Sequence, residues 1–206
     1  MPRKKRIWLP DTYYHVTDRG NQKQTLFYDK SDYFVFQNVL TYVCNKHPFE
    51  ICAYCLMSNH YHFIIKSISD PLSIIIGLIK KRYADYFNRK YNLTGHVFEE
   101  RFFADPLSSY VNIQRTSYYV HYNPVNASIV PTPQDYIWSS FQYYLDDLPK
   151  ECKNLPPFLS TDPILSIFKG TDCEKKKQYI YWCEKAHFDY KNKNKKGNNN
   201  QVPGTW

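Results

Sequence analysis

Two histidines one residue apart, His60 and His62, open the apolar run His60-Tyr61-His62-Phe63-Ile64-Ile65-Lys66. In an extended strand, residues two apart share a face, so both imidazoles project to the same side. A neutral imidazole is a good donor to a divalent cation, and two on one face offer half of a metal site. The spacing fits a pair of packing histidines equally well, and a third partner is needed to choose.

Cys52 and Cys55 offer a competing arrangement, because C-x-x-C followed by two histidines outlines a zinc site. On a strand, positions three apart face opposite ways, so these thiols converge only if the strand breaks between them. Buried structural thiols are the expectation for both. Further on, Tyr119 and Asn123 lie four apart and share a face of any helix that contains them, with Tyr118 and Tyr122 as a neighbouring pair. In a chain with 20 tyrosines an aromatic stripe packed on a sheet explains this cluster as well as chemistry does, and spacing alone nominates no nucleophile.

The elements that would carry these residues are legible from periodicity. Tyr13-Tyr14-His15-Val16-Thr17 reads as a strand ending in the turn-forming Asp18-Arg19-Gly20-Asn21. Ser31 can cap a helix over Asp32 to Lys46, where Phe36, Val39, Leu40 and Val43 recur at helical spacing before Pro48. Phe49 to Met57, the turn Ser58-Asn59 and His60 to Lys66 read as a hairpin. A second helix is predicted over Leu72 to Tyr91, with Leu72, Ile75, Ile76, Ile79, Tyr83 and Phe87 on one face. Val97 to Phe103 reads as a strand or extended segment, and a third helix is predicted from Ser108 or Ser109 to Asn123, ending before Pro124.

That order predicts an α+β fold, a ferredoxin-like antiparallel sheet with helices packed on it, rather than a doubly wound parallel sheet. The expected boundaries are a main domain over 1–148, an extension with loops and a short helix over 149–190, and a disordered Lys/Asn-rich tail over 191–206.

The 206 residues carry 27 Lys+Arg against 19 Asp+Glu, a net charge of +8, which predicts an anionic partner. Six cysteines without a recognisable signal peptide read as reduced thiols, and no apolar run is long enough to span a bilayer, so a cytoplasmic protein is expected.

Four blocks resemble one known family in order and in content: Tyr14-His15-Val16-Thr17-Asp18-Arg19-Gly20-Asn21; Ala53-Tyr54-Cys55-Leu56-Met57-Ser58-Asn59-His60-Tyr61-His62; Tyr86-Phe87-Asn88-Arg89 with Gly95-His96-Val97-Phe98-Glu99-Glu100-Arg101-Phe102; and Tyr119-Val120-His121-Tyr122-Asn123-Pro124-Val125. Asp135-Tyr136-Ile137-Trp138-Ser139-Ser140 adds a weaker fifth. Together they resemble the HUH single-tyrosine transposases, and specifically the REP-associated tyrosine transposase branch, over about residues 7 to 145.

The resemblance implies an HUH endonuclease architecture in which His60 and His62 are metal ligands, Asn123 the third ligand and Tyr119 the nucleophile. It implies a divalent metal, magnesium or manganese, and a 5′-phosphotyrosine intermediate on single-stranded DNA with hairpin structure. A non-cleaving DNA or RNA hairpin-binding derivative is the alternative. Expected DNA contacts are Arg3, Lys4, Lys5, Arg6, Arg19 and Asn21 beside the hairpin, and Lys80, Lys81, Arg82, Arg89 and Arg101 on phosphates. The implied setting is a bacterial cell, on the nucleoid when bound to DNA, with no membrane partner and a monomer favoured over a dimer. Two departures from the family pattern stand out. Tyr61 adds a hydroxyl at a bulky position expected to pack in the core, and Asn126 replaces a commonly cationic residue.

Overall fold

Four strands form one antiparallel sheet in the order β2-β3-β1-β4, with β1 at Tyr13–Arg19, β2 at Phe49–Leu56, β3 at His60–Ser67 and β4 at Phe103–Leu107. The computed structural model describes residues 8–99, 101–146 and 154–196. Helix α1, Lys30–Lys46, lies between β1 and β2, and α2, Leu72–Tyr91, between β3 and β4. This is the ferredoxin-like succession, followed by α3 at Tyr110–Asn126, a four-residue α4 at Asp162–Leu165, and α5 at Asp172–Lys196.

Helix α2 occupies the predicted span, and all six residues of its apolar face are buried. Its last turn closes on Asn92, whose φ of 51° places it in the left-handed region that asparagine tolerates. Helix α1 starts earlier than Ser31. The Asp29 carboxylate accepts from Asp32 N at 3.3 Å while the Asp32 carboxylate accepts from Asp29 N at 3.1 Å, a reciprocal box that satisfies two otherwise orphaned donors. Asp32 also ties α1 to α2, accepting from Lys90 Nζ at 2.7 Å, Tyr91 Oη at 2.7 Å and Tyr86 Oη at 2.9 Å.

The sheet separates two apolar layers. Tyr14, Val16, Tyr61, Phe63 and Ile65 face α1 and α2, whereas Ala53, Cys55 and Ile64 face α3, α5 and the 136–144 segment. Cys52 joins Cys55 in the second layer, although the two lie three apart. The β2–β3 register shifts between Ile51 and Ala53, and this bulge supplies the break in alternation that a regular strand lacks. Both thiols are fully buried, and among the described residues no group of three or more His, Cys, Asp or Glu is arranged to hold a metal ion.

Two predicted elements are displaced. The fourth strand is Phe103–Leu107 rather than Val97 to Phe103; residues 97–99 instead lie along the end of β1 through the Gly20–Phe98 bridge, the bond from Glu99 N to Arg19 O at 3.0 Å and that from Asn21 N to Val97 O at 2.9 Å. Pro106 is accommodated because β4 is an edge strand, where a missing donor faces away from the ladder. Helix α3 continues past Pro124 to Asn126, since a proline in the last turn forfeits one helical bond while Ala127 N still reaches Asn123 O at 2.9 Å.

Beyond α3 the chain runs along the outer edge of β2. Leu56 N donates to Trp138 O at 2.9 Å, Ile51 N to Phe158 O at 2.7 Å, and Ser160 N to Ile51 O at 2.9 Å, so this edge is covered. Helix α5, Asp172–Lys196, starts within the extension where a short helix is expected, but it is 25 residues long and runs into the Lys/Asn tract. Lysine is a good helix former, and fully buried Tyr179 and Cys183 anchor the helix upstream. Arg3, Lys4, Lys5 and Arg6, and residues 197–206, lie outside the described residues.

Candidate active site

The turn Ser58-Asn59 delivers the chain into β3 with His60 and His62 on the α3 side and Tyr61 on the other, fully buried against Phe36, Phe63 and Phe98. His62 is 3% exposed and His60 is half-buried. Each ring is held by its Nδ1. His60 Nδ1 lies 2.7 Å from Asn59 Oδ1, and His62 Nδ1 lies 3.0 Å from Thr17 Oγ1 and 3.2 Å from His15 Nε2. The Nε2 atom of His62 lies 3.2 Å from Asn123 Nδ2, and His60 also hydrogen-bonds to Asn123.

Asn123 reaches the histidines because α3 packs on the sheet through Ile113 and Val120, after a start capped by Ser109, which accepts from Asn112 N at 3.2 Å. That rotation turns Tyr119 toward the histidines. Its ring stands perpendicular to His62 at 5.4 Å between centroids and edge-on to His15 at 5.8 Å, and its phenol shares a hydrogen bond with Asn123. Tyr118 and Tyr122 point elsewhere: Tyr118 Oη bonds to His187 Nδ1 at 3.1 Å, and the Tyr122 ring packs on His187 at 4.7 Å, both against α5.

Burial dominates the electrostatics. It lowers the His62 pKa far below the ordinary imidazole value, with help from the His60 and His15 charges. It lowers His60 as well, although the Asn123 bond opposes it and Arg19 reinforces it. Both rings are therefore neutral at pH 7, with a lone pair to offer. Burial raises the Tyr119 phenol above its usual value, opposed by the Asn123 bond and assisted by Tyr190, so the free protein holds it protonated. The arrangement thus joins a protonated phenol, two neutral imidazoles and a carboxamide at one end of the sheet.

A model of the family described as "Transposase IS200 like" matches residues 9–123, more than half of the chain. The chain belongs to the IS200-like transposase family. It is 25% identical over 118 residues to a Haemophilus influenzae protein named as a REP-associated tyrosine transposase, covering 52% of this chain. The match spans 66% of that relative's length, just under two thirds. A solved REP-associated tyrosine transposase bound to a REP hairpin shares the fold with a TM-score of 0.62 at 18% identity, over 78% of this chain and 92% of that one.

Within this transposase fold the basic residues expected at DNA fall into distinct settings. Arg19 pairs opposite His60 in the β1–β3 ladder and bonds Glu99 through Nε at 2.6 Å. Asn21 and Lys81 line a cleft of about 660 Å³ between the β1–α1 loop, α2 and residues 95–99. Lys80 lines the same cleft but is held by Asp18 at 2.7 Å and by Glu99 O at 2.9 Å. Arg82 lies over the Tyr42 ring at 3.9 Å, on the α1 side, while Arg89 and Arg101 are exposed. His15 and Thr17 were not singled out by spacing as site residues. Their signal was the same as that of His60 and His62, polar side chains two apart on a β-rich run, and it acquires meaning only from the register that sets Thr17 opposite His62.

Proposed function

We propose that this protein is a metal-dependent single-strand DNA endonuclease and strand transferase that forms a 5′-phosphotyrosine through Tyr119 at hairpin-forming repeats. The observation that carries this reading is the meeting of His60, His62, Tyr119 and Asn123 from two distant segments, with Asn123 3.2 Å from His62. The donor set fits a divalent ion. Both imidazoles are tethered by Nδ1, so coordination would fall to Nε2, which on His62 faces the Asn123 carboxamide at 3.2 Å; turned over, that carboxamide would offer a third, oxygen donor of the kind magnesium and manganese accept. A bound ion there would polarise the scissile phosphate and offset transition-state charge.

The remaining steps belong to the chain. Tyr119 Oη attacks phosphorus, the bond from phosphorus to the 3′ oxygen breaks, and the proton given up by the phenol is balanced by the one the 3′ oxygen gains. The phosphotyrosine conserves the bond energy, so a returning 3′-hydroxyl reverses the attack and joins strands without ATP. A hairpin partner is supported by the family and by the named ligand of the solved relative, and the net charge of +8 suits it.

A labelled single-stranded hairpin with varied flanks, incubated with protein and manganese, tests the reading. A covalent adduct is expected in wild type and absent in Tyr119→Phe. Hairpin binding without any adduct in wild type sinks the nuclease reading and leaves a binding protein. An adduct that survives Tyr119→Phe moves the nucleophile to another tyrosine.

A further inference from the structure

We infer that His15, together with Thr17, is a positioning residue that holds the His62 ring in the one tautomer able to coordinate metal while also seating the Tyr119 ring. The inference rests on the metal role proposed above for His60, His62 and Asn123.

His60 and His62 differ in what holds their Nδ1 atoms. Asn59 Oδ1 can only accept, so at 2.7 Å it fixes the His60 hydrogen on Nδ1 and leaves the Nε2 lone pair on the side of Asn123. His62 Nδ1 faces two groups that can each donate or accept, Thr17 Oγ1 at 3.0 Å and His15 Nε2 at 3.2 Å. Its tautomer therefore depends on how that pair is set. If His15 Nε2 carried a hydrogen and gave it to His62 Nδ1, His62 would carry its own on Nε2, where Asn123 Nδ2 already donates from 3.2 Å. The consistent setting runs the other way. Asn123 donates to His62 Nε2, His62 Nδ1–H donates toward Thr17 and His15, and the Thr17 hydroxyl points on to His15 Nε2 at 3.4 Å. This requires the His15 hydrogen on Nδ1, and Asp105, its partner across the β1–β4 ladder, is a carboxylate whose charge acts on His15.

Ring geometry adds a second constraint. The His15 ring stacks on His62 at 5.4 Å with 16° between planes and meets Tyr119 edge-on at 5.8 Å, so a single side chain borders both ligand and nucleophile. Partners of this kind typically change metal affinity by about 10- to 100-fold when removed.

The test compares His15→Leu, which keeps bulk without an acceptor, with His15→Gln, which returns an acceptor near the position of Nε2. Thr17→Val serves as a second route into the same network. In metal-free protein, the imidazole ¹⁵N shifts of His62 should report the Nδ1–H tautomer in wild type and His15→Gln, and a mixture in His15→Leu. Manganese binding, followed by loss of the free-ion electron paramagnetic resonance signal, should weaken about 10- to 100-fold in His15→Leu and largely recover in His15→Gln. An unchanged His62 tautomer in both His15→Leu and Thr17→Val overturns the inference, as does an equal loss of manganese affinity in His15→Leu and His15→Gln. If wild type binds no manganese, the metal reading falls, while the ¹⁵N shifts still decide whether His15 sets His62.

Discussion

Replacing Asp32 with asparagine should cost about 2–3 kcal/mol, and the structure says where the loss arises. Oδ2 accepts from Tyr28 N at 2.7 Å, Asp29 N at 3.1 Å and Tyr91 Oη at 2.7 Å, while Oδ1 accepts from Lys90 Nζ at 2.7 Å and Tyr86 Oη at 2.9 Å. The side chain is fully buried, so none of these donors finds water at its oxygens instead. An asparagine would keep its oxygen toward the two backbone amides, which cannot turn away, and place its NH₂ toward Lys90 and Tyr86. The tyrosine hydroxyl can rotate to accept, but the ammonium cannot, and one charge-assisted bond worth about 1.5–3 kcal/mol is lost. In a domain of this size about 1 kcal/mol corresponds to roughly 2–4 °C, so Tm should fall by about 4–12 °C. Burial raises the Asp32 pKa, but bonds from Lys90, Tyr91, Asp29 and Tyr86 outweigh it and hold the folded value below the ordinary carboxylate range. A depressed folded pKa contributes stability above about pH 4, and this contribution disappears as pH falls through the folded value. The gap between wild type and Asp32→Asn should therefore be widest near neutrality and narrow in acid. Urea unfolding followed by tryptophan fluorescence, with Trp138 stacked 4.2 Å from Tyr33 of α1 as a local reporter, reads both effects. A neutral-pH difference under about 0.5 kcal/mol, or a gap that stays constant into acid, would refute the reasoning.

Two further perturbations separate packing from DNA contact. Tyr179→Ala should destabilise by about 3–5 kcal/mol in urea unfolding, because α5 docks through this fully buried ring and its hydroxyl, which lies 2.7 Å from His121 Nδ1 and 3.0 Å from Ser117 Oγ. A near-neutral result would mean that α5 is not part of the folded body. In hairpin-binding titrations over a range of salt, Lys81→Ala and Arg101→Ala should each lower the salt slope by about one, whereas Arg82→Ala should leave it unchanged because Arg82 sits on Tyr42 away from the site. Equal slopes for all three would remove Lys81 and Arg101 as phosphate contacts.

Local periodicity is legible without any tertiary information. The 3.6-residue repeat of Leu72, Ile75, Ile76, Ile79, Tyr83 and Phe87 delimits α2, because each of these residues must be buried and the intervening ones need not be. Two-residue alternation likewise puts His60 and His62 on one face with Tyr61 behind them. The order of elements then suffices for a ferredoxin-like sheet. Tertiary structure decided what depends on partners distant in the chain. The bulge at Cys52 brings Cys52 and Cys55 into one layer, and no local propensity marks it. An edge position lets Asp105-Pro106 serve in β4, which residue preference alone argues against. Which of Tyr118, Tyr119 and Tyr122 faces the histidines is a rotation of α3 about its axis, and that rotation is set by burying Ile113 and Val120 against the sheet. The link from His15 through Thr17 to His62 exists only because β1 pairs with β3 in a register that sets Thr17 opposite His62. A periodic pattern states which face a side chain occupies, but only packing brings two faces together.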